Sequence, residues 1–304
     1  MGVRNSVFYA DGLEGITGSN VPFNIERLVN VLDELRKKER HTLYPFVGAW
    51  NPKLQDVAGA GFERVHELRE RIVSVLRGQW VALAESEAAD YYRGLLRFQE
   101  EFGHALRVFS LNYDLCVERS CGHGTVQRGF AGRVWDWRLF DEGPNEETRI
   151  FLYKLHGSLD WYFAEDGTVS YSDSPSKIAD EHVALIFGTS YKLQYVDPFL
   201  FLAYELRRWT LDAARLVVAI GYGFMDEHIN GILGQALRQD GTRRLLAVVA
   251  PQAADQVPET VEFIANQLDA QPGQVHVNPC GARGFLDEQL SVERLARPSP
   301  RKKT

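Results

Sequence analysis

The chain has 304 residues, of which 45% are hydrophobic and 25% charged, and its formal net charge is −7. These values are ordinary for a soluble globular protein, and the negative charge argues against a surface that binds nucleic acid directly. No run of 18 apolar residues and no apolar leader segment occurs, so we expect a cytoplasmic protein without a membrane partner. The low, odd number of cysteines (Cys116, Cys121 and Cys280) predicts a reducing compartment and no disulfide framework.

The first third of the chain is predicted to be helical. Apolar residues recur at helical spacing from Ile25 to Leu35, after a candidate N-cap at Asn24, and again between Phe62 and Leu76. A third helix is predicted between residues 86 and 103. We therefore expect a helical subdomain over about residues 20–105.

Short apolar runs replace this helical pattern further along the chain. They read ALRVFSLNYD, RIFLYKLHG, HVALIFGTS, RLVVAIGYG and RRLLAVVAP. Continuous runs of this kind are typical of strands buried on both faces of a parallel sheet. Two helices are predicted between them, one capped by Asp197 with Pro198 in its first position, the other beginning near Asp226. Residues 126–147 read as a loop.

This order of strands and helices predicts an α/β fold with a doubly wound, mainly parallel, Rossmann-like sheet. The predicted core covers about residues 106–290, within a single domain of residues 1–304 that ends in a basic tail at 297–304.

Polar or glycine-rich residues follow three of the predicted strands. Asn112 and Asp114 follow the first strand, and His156, Gly157 and Ser158 follow the second. The fourth run leads into a further group: Gly221, Tyr222, Gly223, Phe224 and Asp226. Ligands of open α/β sheets bind beyond the carboxyl ends of the strands, and glycines there let a phosphate or ribose approach the backbone.

Each group also has a purely structural explanation. His156–Gly157 can form a simple turn, Asp114 can cap the next helix, and the segment from Gly221 to Phe224 can be a tight turn. The three groups together, in this order and each at a strand end, are more specific than any one of them.

The three groups resemble the sirtuin-like NAD-consuming family, in its bacterial anti-phage branch. That family has strands ending in Asn-Tyr-Asp, in Leu-His-Gly and in Gly-Tyr-Ser/Gly-Phe with a following aspartate. The present chain has NYD at 112–114, LHG at 155–157, GYGF at 221–224 and Asp226. The resemblance extends over residues 107–251.

The resemblance implies a role for each of these positions. Asn112 would orient the attacking water, and His156 would bond a ribose hydroxyl and act as the general base, a role that suits histidine as a residue type because its unperturbed pKa lies near neutrality. Asp114 would contact the nicotinamide carboxamide or only fix its loop. The remaining positions would line the NAD pocket: Gly157, Ser158, Gly221, Tyr222, Gly223, Phe224 and Asp226.

A zinc site is an alternative reading of Cys116, Cys121 and His123. A structural zinc site needs four ligands, usually as two close pairs, and the sequence shows no second pair. We therefore expect no metal. The paired Cys-x-x-Cys module of deacetylating sirtuins is also missing, which favours NAD hydrolysis over deacetylation.

One expected motif of the family is not found. Residues 9–20 contain three glycines, but they do not form the Gly-Ala-Gly-x-Ser turn that holds the pyrophosphate. Either the start of the chain is truncated or the protein lacks this loop.

The resemblance predicts an NAD hydrolase that releases nicotinamide and ADP-ribose and depletes NAD in defence. Its expected partners are further copies of the chain, or a DNA-translocating ATPase, an Argonaute-like protein or a nucleotide-signal sensor. The alternative is a catalytically weak or inactive assembly subunit without the phosphate loop. A third reading, deacylase or ADP-ribosyl transferase, needs an acceptor groove that the sequence does not show.

Overall fold

The computed structural model describes residues 25–36, 62–80, 90–141, 143, 147–180, 182–186 and 197–296. Several predicted features lie outside these ranges, namely the glycines of residues 9–20, the cap at Asn24, the start of the third helix at residues 86–89, and the basic tail. Within the described ranges, no helix has the length and apolar character needed to cross a membrane.

The strands of the described residues are β1 (Leu106–Ser110), β2 (Val126–Gln127), β3 (Phe130–Ala131), β4 (Val134–Trp135), β5 (Ile150–Lys154), β6 (Gly157–Phe163), β7 (Val169–Tyr171), β8 (Val183–Leu185), β9 (Leu216–Ile220), β10 (Arg244–Val248) and β11 (Val275–Asn278). The α-helices are α1 (Ile25–Arg36), α2 (Glu63–Val75), α3 (Arg93–Phe102), α4 (Cys116–Cys121), α5 (Arg138–Asp141), α6 (Phe199–Arg208), α7 (Glu227–Gln239), α8 (Val257–Leu268), α9 (Ala282–Gly284) and α10 (Val292–Ala296).

Two parallel sheets form the centre of the fold. The first has the order β1-β5-β2 and the second the order β11-β10-β9, with all pairs parallel. Helices α7 and α8 connect the three strands of the second sheet in succession. The predicted α/β class is confirmed, since parallel strands alternating with helices are consistent with a Rossmann-like fold.

Strand β5 shows why the apolar runs are continuous. Ile150 and Leu152 belong to one buried cluster, whereas Phe151 and Tyr153 belong to another. Successive side chains of a strand point to opposite faces, so a strand covered on both faces needs apolar residues at every position.

The predicted N-terminal helices are present in the described residues. Helices α1 and α2 pack through Leu28, Leu32 and Val65, in a cluster that also contains Leu159 and Leu185 of β6 and β8. The third helix ends at Phe102, and Gly103 follows with a φ of 75°, a conformation that glycine adopts without strain.

The region from 126 to 147, predicted as a loop, contains β2, β3, β4 and α5 instead. Strands β3 and β4 join a five-stranded sheet of order β3-β4-β7-β6-β8. Strands of two residues are too short to show alternation in the sequence. Their aromatic side chains are held by tertiary contacts, such as the edge-to-face pair of Phe130 and Trp161 at 5.3 Å.

The run HVALIFGTS was expected to join the parallel sheet. Its strand β8 instead pairs antiparallel with β6. The sequence pattern is the same in both cases, because Ala184 and Leu185 are buried on opposite faces of the antiparallel sheet.

The predicted cap at Asp197 is also wrong. Helix α6 begins at Phe199 with Pro198 as its N-cap residue, and no side chain caps it. Asp197 therefore lies one position too early to satisfy the first N–H groups of the helix.

Candidate functional site

The register of β1 and β5 brings the first two polar groups to one edge of the sheet. Ser110 pairs with Lys154 at the end of both strands, and the Leu155 N–H donates to the Ser110 carbonyl at 2.9 Å. Asn112 and His156 each lie two residues beyond this last pair. Because neighbouring strands run about 4.8 Å apart, both residues lie at the same carboxyl edge.

The Asn112–Asp114 turn is fixed by its own hydrogen bonds. The Asn112 N–H donates to Ser110 Oγ at 3.1 Å, and the Tyr113 hydroxyl donates to the Ile186 carbonyl at 2.7 Å. The Tyr113 carbonyl in turn accepts a hydrogen bond from the Leu159 N–H at 3.0 Å. Asn112 itself is exposed, so its amide is accessible from solvent.

Asp114 has a clear structural role. Its Oδ1 accepts a hydrogen bond from the Cys116 N–H at 2.9 Å, at the first residue of α4, although the N-cap position itself is Leu115. This bond supports the reading in which Asp114 fixes the loop. Its predicted contact with nicotinamide stays a prediction.

His156 contacts Asp226 from the third polar group. The distance from His156 Nε2 to Asp226 Oδ2 is 3.2 Å, and each residue is only 5% exposed. Asp226 is also the N-cap of α7, because its Oδ1 accepts from the N–H groups of His228 and Ile229 at 3.1 and 3.3 Å. One carboxylate therefore holds the start of a helix and the imidazole together.

This pairing defines what the imidazole can do. A proton on Nε2 can be donated to Asp226, which leaves Nδ1 of His156 as the basic nitrogen. A buried carboxylate next to the ring also stabilises the imidazolium that forms when His156 accepts a proton. The sequence identified both residues, but it assigned Asp226 to cofactor binding and did not predict the pair.

Gly157 and Ser158 are buried beneath the edge. Gly157 has a φ of 87°, and a Cβ on it would lie 2.1 Å from the Ala184 carbonyl oxygen. Glycine is therefore needed for β6 and β8 to approach each other. Ser158 is 0% exposed, and its hydroxyl has no hydrogen-bond partner among the described residues. Their predicted contact with NAD stays a prediction.

The glycine-rich segment after β9 has open space beside its backbone. Apart from the glycines themselves and their two chain neighbours, no atom of the described residues lies within 4 Å of a Cβ placed on Gly221 or Gly223, and both glycines are exposed. Gly221 has a φ of 65°, and its N–H donates to the Val248 carbonyl at 2.9 Å. A ligand can therefore approach the main chain at this end of β9, in the second sheet.

The aromatic residues of this segment hold its shape. The Tyr222 hydroxyl lies 2.7 Å from Asn230 Oδ1, and Asn230 Nδ2 donates to the Phe224 carbonyl at 2.8 Å. Phe224 is buried with a φ of 55°, an uncommon conformation for an aromatic residue. Burial, and secondarily the charge of Asp226, raise the pKa of Tyr222, so its hydroxyl stays protonated and can donate.

Two further residues at this edge were not found from the sequence. The Tyr92 side chain interacts with that of Asn112, and burial, followed by the charge of Asp114, raises the pKa of Tyr92. Lys154 is 2% exposed and donates to the Asp114 carbonyl. A lysine inside the apolar run FLYKLH was a visible signal, whereas nothing in the sequence around Tyr92 pointed to Asn112.

The cysteines near the site are not activated. Burial, with a contribution from Asp114, raises the pKa of Cys116 to about 12, and burial raises that of Cys121 to about 12. Thiols of this kind are poor nucleophiles and poor metal ligands at neutral pH. In the part of the chain that the structure describes, no three His, Cys, Asp or Glu side chains come together as a metal site.

An amide, an imidazole–carboxylate pair and an open glycine turn beyond the carboxyl ends of parallel strands are consistent with a Rossmann-like α/β protein, whose ligands bind in this position. The profile of the SIR2-like domain family matches residues 106–269, more than half of the 304 residues, and the chain belongs to this family. The matched range contains all three polar groups. A search of curated proteins found no match. SIR2-like domains bind NAD and the family is one of NAD-dependent enzymes, so the function of this chain is related to NAD.

Proposed function

We propose that this protein hydrolyses NAD⁺ to nicotinamide and ADP-ribose. The observation that carries the proposal is the buried pair of His156 and Asp226, with Nε2 and Oδ2 3.2 Å apart, in which His156 lies at the same sheet edge as the exposed Asn112. An imidazole held by a carboxylate is the arrangement used by general bases in many enzymes.

The reaction consumes one water molecule. The bond between nicotinamide and ribose breaks, and its electron pair goes to nicotinamide. The oxygen of the water then forms a bond to the ribose carbon that had carried the nicotinamide. The Asn112 amide can hydrogen-bond and orient this water, and His156 accepts the proton that the water or a ribose hydroxyl loses. Asp226 stabilises the resulting imidazolium.

The open backbone at Gly221 and Gly223 supports a place for the phosphates or a ribose. Glycines just before a helix let an anionic group approach the main chain, and α7 begins four residues after Gly223, at Glu227, although the Gly221 N–H already donates to the Val248 carbonyl. The Tyr222 hydroxyl, which stays protonated, donates to Asn230 Oδ1 at 2.7 Å and so helps to hold the shape of this segment.

Hydrolysis is favoured over deacylation by the sequence. The paired Cys-x-x-Cys zinc module of deacetylating sirtuins is absent from the chain. We further propose, on the resemblance alone, that the enzyme depletes NAD in antiviral defence and is activated by oligomerisation or by a partner such as a DNA-translocating ATPase, an Argonaute-like protein or a sensor.

A second candidate is a weakly active or inactive assembly subunit that binds NAD or ADP-ribose. The observation that favours it is the burial of His156, which is only 5% exposed and already contacts Asp226.

The two candidates are separated by product analysis. The protein, alone and with its activating partner, is incubated with NAD in the absence of any acylated peptide, and nicotinamide and ADP-ribose are measured. We expect both products in equal amounts, and a rate roughly 10²–10⁴-fold lower in Asn112→Ala. Binding of NAD without products would support the assembly subunit, and products only with an acylated peptide would support a deacylase.

A further inference from the structure

A buried lysine lies two residues before His156. Lys154 is 2% exposed at the end of β5, a strand whose other four residues are apolar and buried. Keeping an ammonium group away from water is costly unless charged or polar groups surround it. The contacts of the Lys154 ammonium group therefore indicate its role.

The Lys154 ammonium joins the two parts of the site. It donates a hydrogen bond to the main-chain carbonyl of Asp114, which closes the Asn112–Asp114 turn. Its own strand leads directly to His156. One side chain thus fixes the turn that carries Asn112 against the strand that carries the imidazole.

A chain of buried charges continues behind the lysine. Lys154 Nζ lies 3.9 Å from Glu118 Oε1, which lies 3.7 Å from Arg128 Nη1, and Arg128 bonds Asp160 Oδ2 at 2.6 Å. All four residues are at most 9% exposed. The four charges alternate in sign and cancel, so each is compensated by its neighbours.

The charges of Glu118 and Asp160 act on Arg128. Burial by itself would lower the pKa of the guanidinium, but Asp160 and Glu118 together raise it. Both oxygens of Glu118 and Oδ1 of Asp160 have no hydrogen-bond partner among the described residues. These buried carboxylates are stabilised by the neighbouring positive charges. Removing one of the four charged side chains therefore destabilises the other three.

We propose that Lys154 is a positioning residue, which holds the Asn112 turn in register with His156, and that Glu118 keeps it in place. The proposal rests on the proposed function, because it assigns the lysine to the geometry of that reaction. Lys154 acts through the main chain of Asp114, and Glu118 acts through Lys154, so neither is assigned a contact with the substrate. An uncharged residue of similar length would suit the buried strand but would release the carbonyl of Asp114.

The first test does not depend on activity. Hydrogen exchange is measured for wild type, Lys154→Met and the charge-balanced Lys154→Met/Glu118→Gln, with the exposed Lys177→Met as the control. We expect both Lys154 variants to exchange faster, roughly tenfold or more, at the amides of Cys116 and Leu159, which bond Asp114 and Tyr113. The amides of β10 and the control should be unchanged.

Unchanged exchange rates at the amides of Cys116 and Leu159 would overturn the proposal. Faster exchange over the whole molecule in both variants would overturn it as well. The double variant addresses the case in which Lys154→Met alone unfolds, because it removes one positive and one negative charge together.

The second test uses catalysis. Lys154→Met should lower kcat roughly 100-fold with little change in KM, because a misplaced catalytic group costs about this factor. In an Asn112→Ala background the same substitution should have almost no further effect, since the turn then carries nothing to position. A full additional loss would show a merely structural role and contradict the proposal. If wild type does not cleave NAD, the proposed function fails, and the exchange experiment still decides the role of Lys154.

Discussion

The two carboxylate oxygens of Asp226 have different contacts. Oδ1 accepts from the first N–H groups of α7, and Oδ2 faces His156 Nε2. The same side chain therefore has a stability role and a proposed catalytic role. Substitutions that keep one role and remove the other can separate them.

Asp226→Asn should separate these roles. Asparagine caps helices about as well as aspartate, so the free energy of unfolding should change little, whereas Asp226→Ala should lower it by about 1 kcal/mol. Both variants lose the charge that stabilises the imidazolium, and we expect both to lower the rate of NAD cleavage roughly 10²–10⁴-fold. Chemical denaturation and nicotinamide release check the two effects. Full activity in Asp226→Asn would exclude the catalytic role.

At the residue scale, the sequence predicted which strand ends carry polar groups but not which side chains meet. Asn112, His156 and Asp226 were identifiable because each interrupts or follows an apolar run. The contact of His156 with Asp226 and that of Lys154 with Asp114 join residues from different elements. Such contacts depend on the register of β1 with β5 and on the path after β9, which a single sequence does not encode locally.

Helix α7 begins at the candidate site and packs against α8 at one of its two glycines. It begins at Glu227, directly after the Asp226 cap, and packs on α8 at Gly234, where an added Cβ would lie 2.4 Å from the Leu268 carbonyl oxygen. Gly231 is on the exposed side of the same helix, and outside the adjoining backbone of α7 no described atom lies within 4 Å of such a Cβ. The close approach of the two helices therefore requires glycine at one position only.

The two glycines of this helix should respond in opposite ways to alanine. Gly231→Ala should raise the free energy of unfolding by roughly 0.5–1 kcal/mol, because glycine is a poor helix former and nothing opposes the methyl group. Gly234→Ala should lower it by roughly 1–3 kcal/mol, because α8 must move away. Urea denaturation of the two variants beside wild type measures both changes. Equal stabilisation by the two substitutions would show that α7 and α8 are not packed as described.

At the element scale, length decided which elements could be predicted. Helices such as α1 and α2 and strands such as β5 and β9 are long enough for periodicity or a continuous apolar run to show. Strands β3 and β4 have two residues each and were read as a loop. The pairing of β8 was mistaken because a short buried strand has the same composition in parallel and antiparallel sheets.

The whole molecule combines the two parallel sheets in one site. Asn112 and His156 extend from the first sheet, while Asp226 and the glycine turn follow β9 of the second. The N-terminal helices reach the same region, since their apolar cluster includes partly buried Tyr113 from the Asn112 turn. The packing of the N-terminal helices therefore also supports the position of the Asn112 turn.

Removal of metal should leave the molecule unchanged. No cluster of three or more metal-ligating side chains occurs in the described ranges, and the thiols of Cys116 and Cys121 are protonated at neutral pH. We expect a strong chelator to alter neither the thermal unfolding temperature nor the rate of NAD cleavage. Elemental analysis provides the counter-test, and one equivalent of tightly bound zinc would refute this expectation.

The central claim is that His156, held by Asp226, is the base of an NAD hydrolase. The most direct measurement is the rate of nicotinamide release from NAD by wild type and by His156→Ala, under identical conditions and without an acylated peptide. Thermal unfolding of both proteins controls for loss of the fold. We predict release by wild type and a rate roughly 10²–10⁴-fold lower in the folded variant. Equal rates in the two proteins, or cleavage that strictly requires an acylated peptide, would contradict the account.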